Sequence, residues 1–305
     1  MTVTTAPPLR CSAWTRSQSV DPVGSAGHYR GFVLVETPLP WPRDVGEIPS
    51  LQPVAQIAVS RGYRLQALVP SDPDRAPRVV VHAGVEPPGD GGWFAGYRRV
   101  EAAGGADVAA TAEALIDSAA TAAAGPPGSA DLLVCTHGRR DVCCGSRGTE
   151  LARDLAGSDL PGAGVNVRRT SHTGGHRFAP TFLFLPQGTM WAYADPEMAA
   201  RVVRRSVPFA DLAPHYRGCA SVGPAPVQAL ERAVLVEEGW DLLDRRRRGF
   251  ATDEAGGRFR METDGAAWEA TVRPGRTLPV PECMKPLSEA RKTETEWIVT
   301  DLRQV

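Results

Sequence analysis

Two short stretches, Cys135-Thr-His-Gly-Arg-Arg-Asp-Val-Cys-Cys144 and Ser171-His-Thr-Gly-Gly-His-Arg177, contain the most informative residues of this sequence. Eight residues separate Cys135 from Cys144, and three separate His172 from His176. The second pair brackets two glycines, which allow the backbone to fold closely around whatever both imidazoles face. Two thiols and two imidazoles in this arrangement predict a metal site.

The elements predicted around these pairs bring them to one place. Asp131–Val134 is predicted to be a buried strand that leads into Cys135, and Val165–Arg168 a second strand that runs up to His172. A helix is predicted over Thr149–Ala156, between the two strands. Sites in α/β proteins lie at the ends of such strands, so the four side chains are expected to converge at one edge of a sheet.

Two thiolates and two neutral imidazoles suit either a [2Fe-2S] cluster in which His replaces part of the Cys set, or a tetrahedral zinc ion. The spacing differs from the short Cys-x2-4-Cys knuckles of zinc fingers and ribbons. It also differs from Rieske spacing, because there each half of the motif supplies one Cys and one His. From the residues alone, both the cluster and the zinc ion remain open.

Residues 126–225 are predicted to form an α/β domain. After the elements above come a hairpin, Thr181–Leu185 and Met190–Tyr193, and a helix from Pro196 to Arg205 capped by Asp195. Strand, helix, strand, hairpin, helix is the order of a thioredoxin-like domain.

Residues 1–125 read in nearly the same order, which leads to the hypothesis of two structurally similar halves, with ligands only in the second. A linker is predicted at Gly125–Gly128. The predicted elements are strands at Gly31–Glu36, Arg64–Val69, Arg78–His82 and, more weakly, Phe94–Val100, with helices at Leu51–Arg61 and Ala106–Ala123.

Residues 226–305 are predicted to form a small α+β appendage, winged-helix-like in its order. A helix is predicted from Val227 to Arg245, ended by Gly249. The Arg245–Arg248 run has acidic neighbours, so a solvated face or a patch for an acidic partner is favoured over nucleic-acid binding. Three short strands are predicted to follow, at Arg258–Met261, Ala267–Val272 and Glu296–Thr300.

Composition limits the class of protein. The formal net charge of −1 argues against a general nucleic-acid binder. No apolar run approaches the ~20 residues of a membrane span, and the first residues lack the pattern of a signal peptide. We therefore expect a cytoplasmic protein with reduced thiols and no membrane partner. The oligomeric state is left open.

The two motifs resemble the sucrase/ferredoxin-like family, thioredoxin-like ferredoxins that include bis-histidinyl, non-Rieske [2Fe-2S] proteins. The resemblance covers most of residues 10–235. It implies a [2Fe-2S] cofactor bound by Cys135, Cys144, His172 and His176, with both Cys on one iron and both His on the other. Two departures are a second thiol, Cys143, beside Cys144, and Thr181 where the family pattern has Asn.

Such a site implies one-electron transfer, because His ligation raises the potential above that of all-Cys ferredoxins. Coupling to a proton is expected if free imidazole nitrogens reach water. The protein is expected to be an electron carrier rather than a catalyst, since no paired carboxylates suggest sucrose hydrolysis. A basic rim is predicted to attract a redox partner such as a flavoprotein or ferredoxin reductase; it consists of Arg139, Arg140, Arg147, Arg168, Arg169 and Arg177.

Two alternatives belong to other classes. One is a dithiol oxidoreductase that uses Cys143 and Cys144, or Cys135, although no Cys-x-x-Cys is present. The other is a structural zinc module within a binding protein. His137 is expected to be a neighbour of the site rather than a ligand. The remaining cysteines are predicted to be isolated core thiols: Cys11, Cys219 and Cys283.

Overall fold

A computed structural model describes residues 9–85, 92–121 and 129–305. Nine strands of these residues form one mixed sheet in the order β4-β3-β1-β2-β6-β5-β7-β8-β9. The strands are β1 Gly31–Glu36, β2 Tyr63–Leu68, β3 Arg78–Gly84, β4 Tyr97–Ala103, β5 Ala130–Cys135, β6 Val165–Thr170, β7 Phe182–Leu185, β8 Thr189–Trp191 and β9 Tyr216–Cys219. The helices are α1 Cys11–Ser17, α2 Gln52–Ser60, α3 Val108–Thr121, α4 Thr149–Ala156, α5 Pro196–Arg204, α6 Phe209–Leu212 and α7 Ala225–Glu238. The predicted α/β class is confirmed.

The same set of strand pairs occurs twice in this sheet. In the first half β1 lies parallel to β2 and antiparallel to β3, which pairs with β4; in the second, β5 lies parallel to β6 and antiparallel to β7, which pairs with β8. The halves join where Leu68 of β2 pairs with Thr170 of β6. This repeat in strand pairing is the one that two similar thioredoxin-like halves require.

The predicted division at residue 125 stays a prediction. The proposed linker, Gly125–Gly128, lies outside the described residues, while strands from both sides of it share the nine-stranded sheet. The hairpin predicted around Pro186–Gly188 is confirmed by the antiparallel pairing of β7 with β8.

The interior strand β1 shows why the sheet is covered on both faces. All six of its residues are buried, and its side chains alternate between two apolar clusters. Phe32 and Leu34 join the larger core, whereas Val33 and Val35 pack with residues of α2 and α3. A continuous apolar run therefore gives a strand buried on both sides, as is typical where helices cover a sheet.

The C-terminal residues form a separate four-stranded antiparallel sheet, β10-β11-β12-β13, beside α7. Its strands are β10 Arg247–Asp253, β11 Arg258–Thr263, β12 Ala266–Pro279 and β13 Thr293–Gln304. The prediction that the helix continues to Arg245 is wrong. It ends at Glu238 because Gly239 takes a positive φ of 77°, which an L side chain rarely adopts, and Gly249 lies inside β10.

One arginine of the Arg245–Arg248 run is part of the core. The Nε of Arg247 donates to Oε1 of Glu231 at 2.8 Å, and both side chains are fully buried. Glu231 also accepts a hydrogen bond from the Tyr216 hydroxyl at 2.7 Å. The expectation of a solvated face is therefore wrong for Arg247, because this ion pair fastens β10 to α7 and β9.

None of the helices in the described parts of the chain is long and apolar enough to span a membrane.

Candidate metal centre

The four predicted ligands lie at the carboxyl ends of the parallel strands β5 and β6. Cys135 is the last residue of β5, and Cys144 opens a π-helical turn, Cys144–Gly148, that runs directly into α4. His172 lies two residues beyond the end of β6, and His176 begins a short 3-10 turn. The side chains thus approach one edge of the sheet, where sites in α/β folds lie.

Three of the four side chains form a compact group. The ligand atoms of Cys135, Cys144 and His172 all lie within 4.8 Å of one another. The Sγ of Cys135 is 3.9 Å from Nδ1 of His172. His176 lies outside this group but beside it, since its ring centroid is 5.9 Å from that of His172. The structure therefore brings the two motifs together and places the imidazoles next to each other.

The exposure of the site is one-sided. Cys135 and Cys144 are no more than 1 % exposed, whereas both imidazoles are only partly buried. His172 and Arg140 line two grooves of 550 and 670 Å³, and His176 lines the larger one. Solvent and any partner therefore reach the site from its histidine side.

The paired glycines of the second motif make room for a buried arginine. Gly174 and Gly175 have positive φ values of 90° and 66°, and a Cβ on Gly175 would lie 2.4 Å from the guanidinium of Arg217. That guanidinium donates to the carbonyl of Gly174 at 3.2 Å and to the backbone and side chain of Ser25. Burial lowers the pKa of Arg217 to about 10, so it remains a cation at neutral pH.

The first motif depends on a glycine for a different reason. A Cβ on Gly148 would lie 1.9 Å from the carbonyl oxygen of Cys135, so only glycine allows the turn to approach the end of β5 this closely. Thr181, the departure from the family pattern, is buried; its carbonyl accepts from the Cys135 amide at 3.1 Å, and its hydroxyl lies 3.5 Å from that of Thr173.

The electrostatics favour the ligand forms of Cys135 and His172. A hydrogen bond from Cys144 lowers the pKa of the Cys135 thiol well below its usual value, against the effect of burial and with help from His172. The same shared proton raises the pKa of Cys144. Burial lowers the pKa of His172, so this imidazole is neutral at neutral pH. A thiolate and a neutral imidazole are the states that bind metals.

Backbone carbonyls fix the orientation of two rings. His176 donates from Nε2 to the carbonyl of Pro281 at 3.0 Å, which leaves Nδ1 as its free ligand atom. His137 donates from Nε2 to the carbonyl of Pro42 at 2.8 Å and accepts from the amide of His172 at Nδ1. Both nitrogens of His137 are therefore used, in agreement with its predicted place as a neighbour of the site.

Two of the three cysteines predicted to be isolated belong to a second thiol group, so that prediction is wrong for them. Cys283 Sγ lies 3.4 Å from Cys11 Sγ and 3.2 Å from Cys143 Sγ, beside the carboxylate of Asp141. No spacing pattern signals this group, because its members come from distant parts of the chain. Cys219 is a buried thiol outside the group, and it donates to the carbonyl of Gln187.

The predicted basic rim is narrower than the sequence suggests. Arg168 pairs with Glu36, and the buried Arg177 pairs with Glu294 at 2.6 Å. Arg139 is exposed, and Arg140 lines both grooves beside His172.

Comparison with known protein families gives a match over much of the chain. The model of the sucrase/ferredoxin-like family matches residues 22–218, which include both halves of the sheet and all four predicted ligands. No curated protein and no solved structure matches the chain significantly. Since the match covers well over half of its length, the chain belongs to the sucrase/ferredoxin-like family.

Proposed function

We propose that this protein is a one-electron carrier that binds a [2Fe-2S] cluster through Cys135, Cys144, His172 and His176. The observation that carries the proposal is the convergence of a buried thiol pair and two adjacent imidazoles at one edge of the sheet. The donor set fits the group, because two thiolates and two neutral imidazoles are known cluster ligands.

The distances between the four donor side chains favour a cluster of two irons over a single metal ion. A single tetrahedral zinc with bonds of about 2.0–2.3 Å keeps all four donors within about 4 Å of one another. Here His176 lies outside the 4.8 Å group formed by the other three side chains. The two cysteines would hold a binuclear cluster from the inner, buried side of this set, and the two histidines would hold it from the outer, partly exposed side.

When bound, the cluster supplies one-electron redox chemistry, at potentials of about −150 to +300 mV in His-ligated Rieske centres against about −400 mV in plant-type ferredoxins. The two cysteines would hold its inner side away from the protein surface, since both are almost fully buried. The histidines form the outer side, which the two grooves expose. Electrons are expected to enter and leave there, and the potential is expected to fall as pH rises if reduction binds a proton at an imidazole.

The partner is proposed to be an acidic flavoprotein or ferredoxin reductase. Arg140 lines both grooves beside His172, and Arg139 is its exposed neighbour in the chain. Their charge would raise the rate of encounter with a negative surface.

The first experiment is a visible absorption spectrum with iron and acid-labile sulfide assays on protein purified without air. We expect about two irons and two sulfides per chain, and loss or a shift of the visible bands in His172→Ala and Cys144→Ala. Cys219→Ser is the matched control, because it removes a buried thiol outside the site. A protein that stays colourless and free of iron after anaerobic reconstitution would overturn the proposal.

The dithiol alternative makes a different prediction. It requires a disulfide between Cys135 and Cys144 and no role for the imidazoles, so His172→Ala would keep thiol-disulfide exchange activity. Cys143 and Cys144 belong to different groups of ligand atoms, which argues against a disulfide between these two neighbours.

A further inference from the structure

The second thiol group joins three remote parts of the chain. Cys11 opens α1, Cys143 immediately precedes the π-helical turn, and Cys283 lies in the segment between β12 and β13. We name these residues, with Asp141, the tri-cysteine group. Its Sγ atoms are 3.2 Å apart between Cys143 and Cys283, and 3.4 Å apart between Cys11 and Cys283.

Asp141 completes the group with a carboxylate. Its Oδ1 lies 3.3 Å from the Sγ atoms of both Cys11 and Cys283. The backbone amides of Cys143 and Cys283 donate to its two oxygens at 2.8 and 3.3 Å, and the residue is only 6 % exposed. The partners that hold this buried carboxylate are amides and thiols, so the bonds that fix its position supply no positive charge.

Together the group presents four ligand atoms within 4.8 Å of one another. A buried carboxylate that no cation faces is costly, and the three thiols beside it are groups that bind a cation once they are deprotonated. With Zn–S bonds of about 2.3 Å, the sulfurs of a tetrahedral site lie about 3.8 Å apart. The observed separations of 3.2 and 3.4 Å need only a small expansion to reach that value.

We propose that Cys11, Cys143, Cys283 and Asp141 form a second metal site that binds one Zn²⁺, separate from the cluster ligands. All four positions are filled by protein atoms, which is the mark of a structural rather than a catalytic zinc site. A disulfide explains the group less well, since three thiols cannot all pair and a disulfide requires about 2.05 Å between sulfurs.

The adjacent residues Cys143 and Cys144 serve the two sites separately. Cys144 belongs to the group with Cys135 and His172, whereas Cys143 belongs to the tri-cysteine group. Cys11 and Cys283 both lie outside residues 22–218, the range of the family match. The family pattern therefore does not account for the second site.

The zinc would connect the start of α1 and the segment between β12 and β13 to the residues around His176. The carbonyl of Pro281, two residues before Cys283, accepts from Nε2 of His176 at 3.0 Å. Cys11 Sγ lies 3.6 Å from the carbonyl oxygen of the same histidine. Zinc at this place would thus hold the segments that orient His176; only this consequence rests on the proposed function, and zinc binding itself does not.

The test is the metal content of the full chain, purified without air, by mass spectrometry for zinc and iron. We expect one zinc per chain in the wild type, and its loss in Cys11→Ser and Cys283→Ser. Cys219→Ser should keep both metals, because this thiol lies outside both sites. Wild-type protein that binds no zinc after zinc is supplied, or zinc retained by both variants, would overturn the proposal.

A second measurement needs no variant that must fold. Alkylation of the native wild-type chain, read by peptide mass mapping, should leave the partly exposed Cys283 unmodified with zinc bound and modify it after a chelator removes the zinc. A native disulfide among the three thiols would refute the zinc site. A chain that stays iron-free after anaerobic reconstitution, and whose one zinc is lost in Cys11→Ser, would refute only the electron-carrier proposal. Iron-loaded protein without zinc would refute only the second site.

Discussion

The close approach of Gly148 to Cys135 leads to a prediction about the cluster site that alters none of its ligands. In Gly148→Ala the new Cβ would lie 1.9 Å from the carbonyl oxygen of Cys135 and 3.1 Å from its carbonyl carbon. Both are backbone atoms at the end of β5, where Cys135 pairs with Thr170 of β6, so neither can rotate away as a side chain does. Reaching the ~3.5 Å of an ordinary carbon contact requires the turn and the strand end to separate by about 1.5 Å.

That displacement acts between the two cysteine ligands, because Cys144 begins the turn that contains Gly148. Overpacking of a tight contact typically costs about 1–3 kcal/mol, and misplacement by about 1 Å is enough to disable a preorganised site. We therefore expect Gly148→Ala to lower the free energy of unfolding by about 1–3 kcal/mol and to lower the iron content after reconstitution.

The assay is urea unfolding followed by circular dichroism, together with iron content and the visible spectrum. Gly162→Ala is the control, since a Cβ there meets no atom within 4 Å and is expected to change stability by less than about 0.5 kcal/mol. If Gly148→Ala matches the wild type in both unfolding midpoint and iron content, the steric argument for this glycine is refuted.

Three further predictions concern the core, the acid limit and the partner surface. Glu231→Leu leaves the fully buried Arg247 without its carboxylate and should lower the free energy of unfolding in urea by about 3–5 kcal/mol. The double variant Glu231→Leu/Arg247→Met should recover much of this stability. An equal loss of stability in the single and double variants would contradict the reasoning. Burial raises the pKa of Asp131, but its hydrogen bonds and charge interactions with His82 and Arg99 together outweigh this and lower the pKa from 3.8 to about 2. A carboxyl whose pKa is lowered in the folded state stabilises the fold at pH values above its unfolded pKa. About 2 kcal/mol of the free energy of unfolding should therefore be lost as pH falls from about 4 to 2. If Asp131→Asn shows the same dependence of stability on pH as the wild type, this reasoning is wrong. Arg140→Glu should slow the reduction of the protein by an acidic reductase at low salt and leave its iron content unchanged. A reduction rate equal to that of the wild type would refute the proposal that the partner binds at this residue.

Local patterns of the sequence determined most of the secondary structure. The apolar run of β1 and the Asp195-Pro196 start of α5 predict their elements because strand burial and helix capping depend on neighbouring residues. The helix predicted at Thr149–Ala156 has the bounds of α4. The similar order of elements in the two halves likewise anticipated the repeated strand pairing of the sheet.

The helix after Pro224 shows where local patterns fail. Its predicted end at Gly249 is wrong because the chain turns at Gly239, and only the backbone conformation distinguishes these two glycines. Arg247 looks like one member of a solvated charge run, yet the packing of β10 against α7 buries it with Glu231.

The sequence by itself determined the family motifs and their place at the ends of two strands, because each motif is short and follows a recognisable strand. Only the tertiary structure decided that Cys11 and Cys283 meet Cys143 and Asp141, since residues so far apart along the chain leave no spacing pattern. It likewise decided that Pro281 orients His176 and that Arg217 lies beneath the paired glycines. These contacts depend on how segments that are remote in sequence pack together, and local sequence patterns do not reveal that packing.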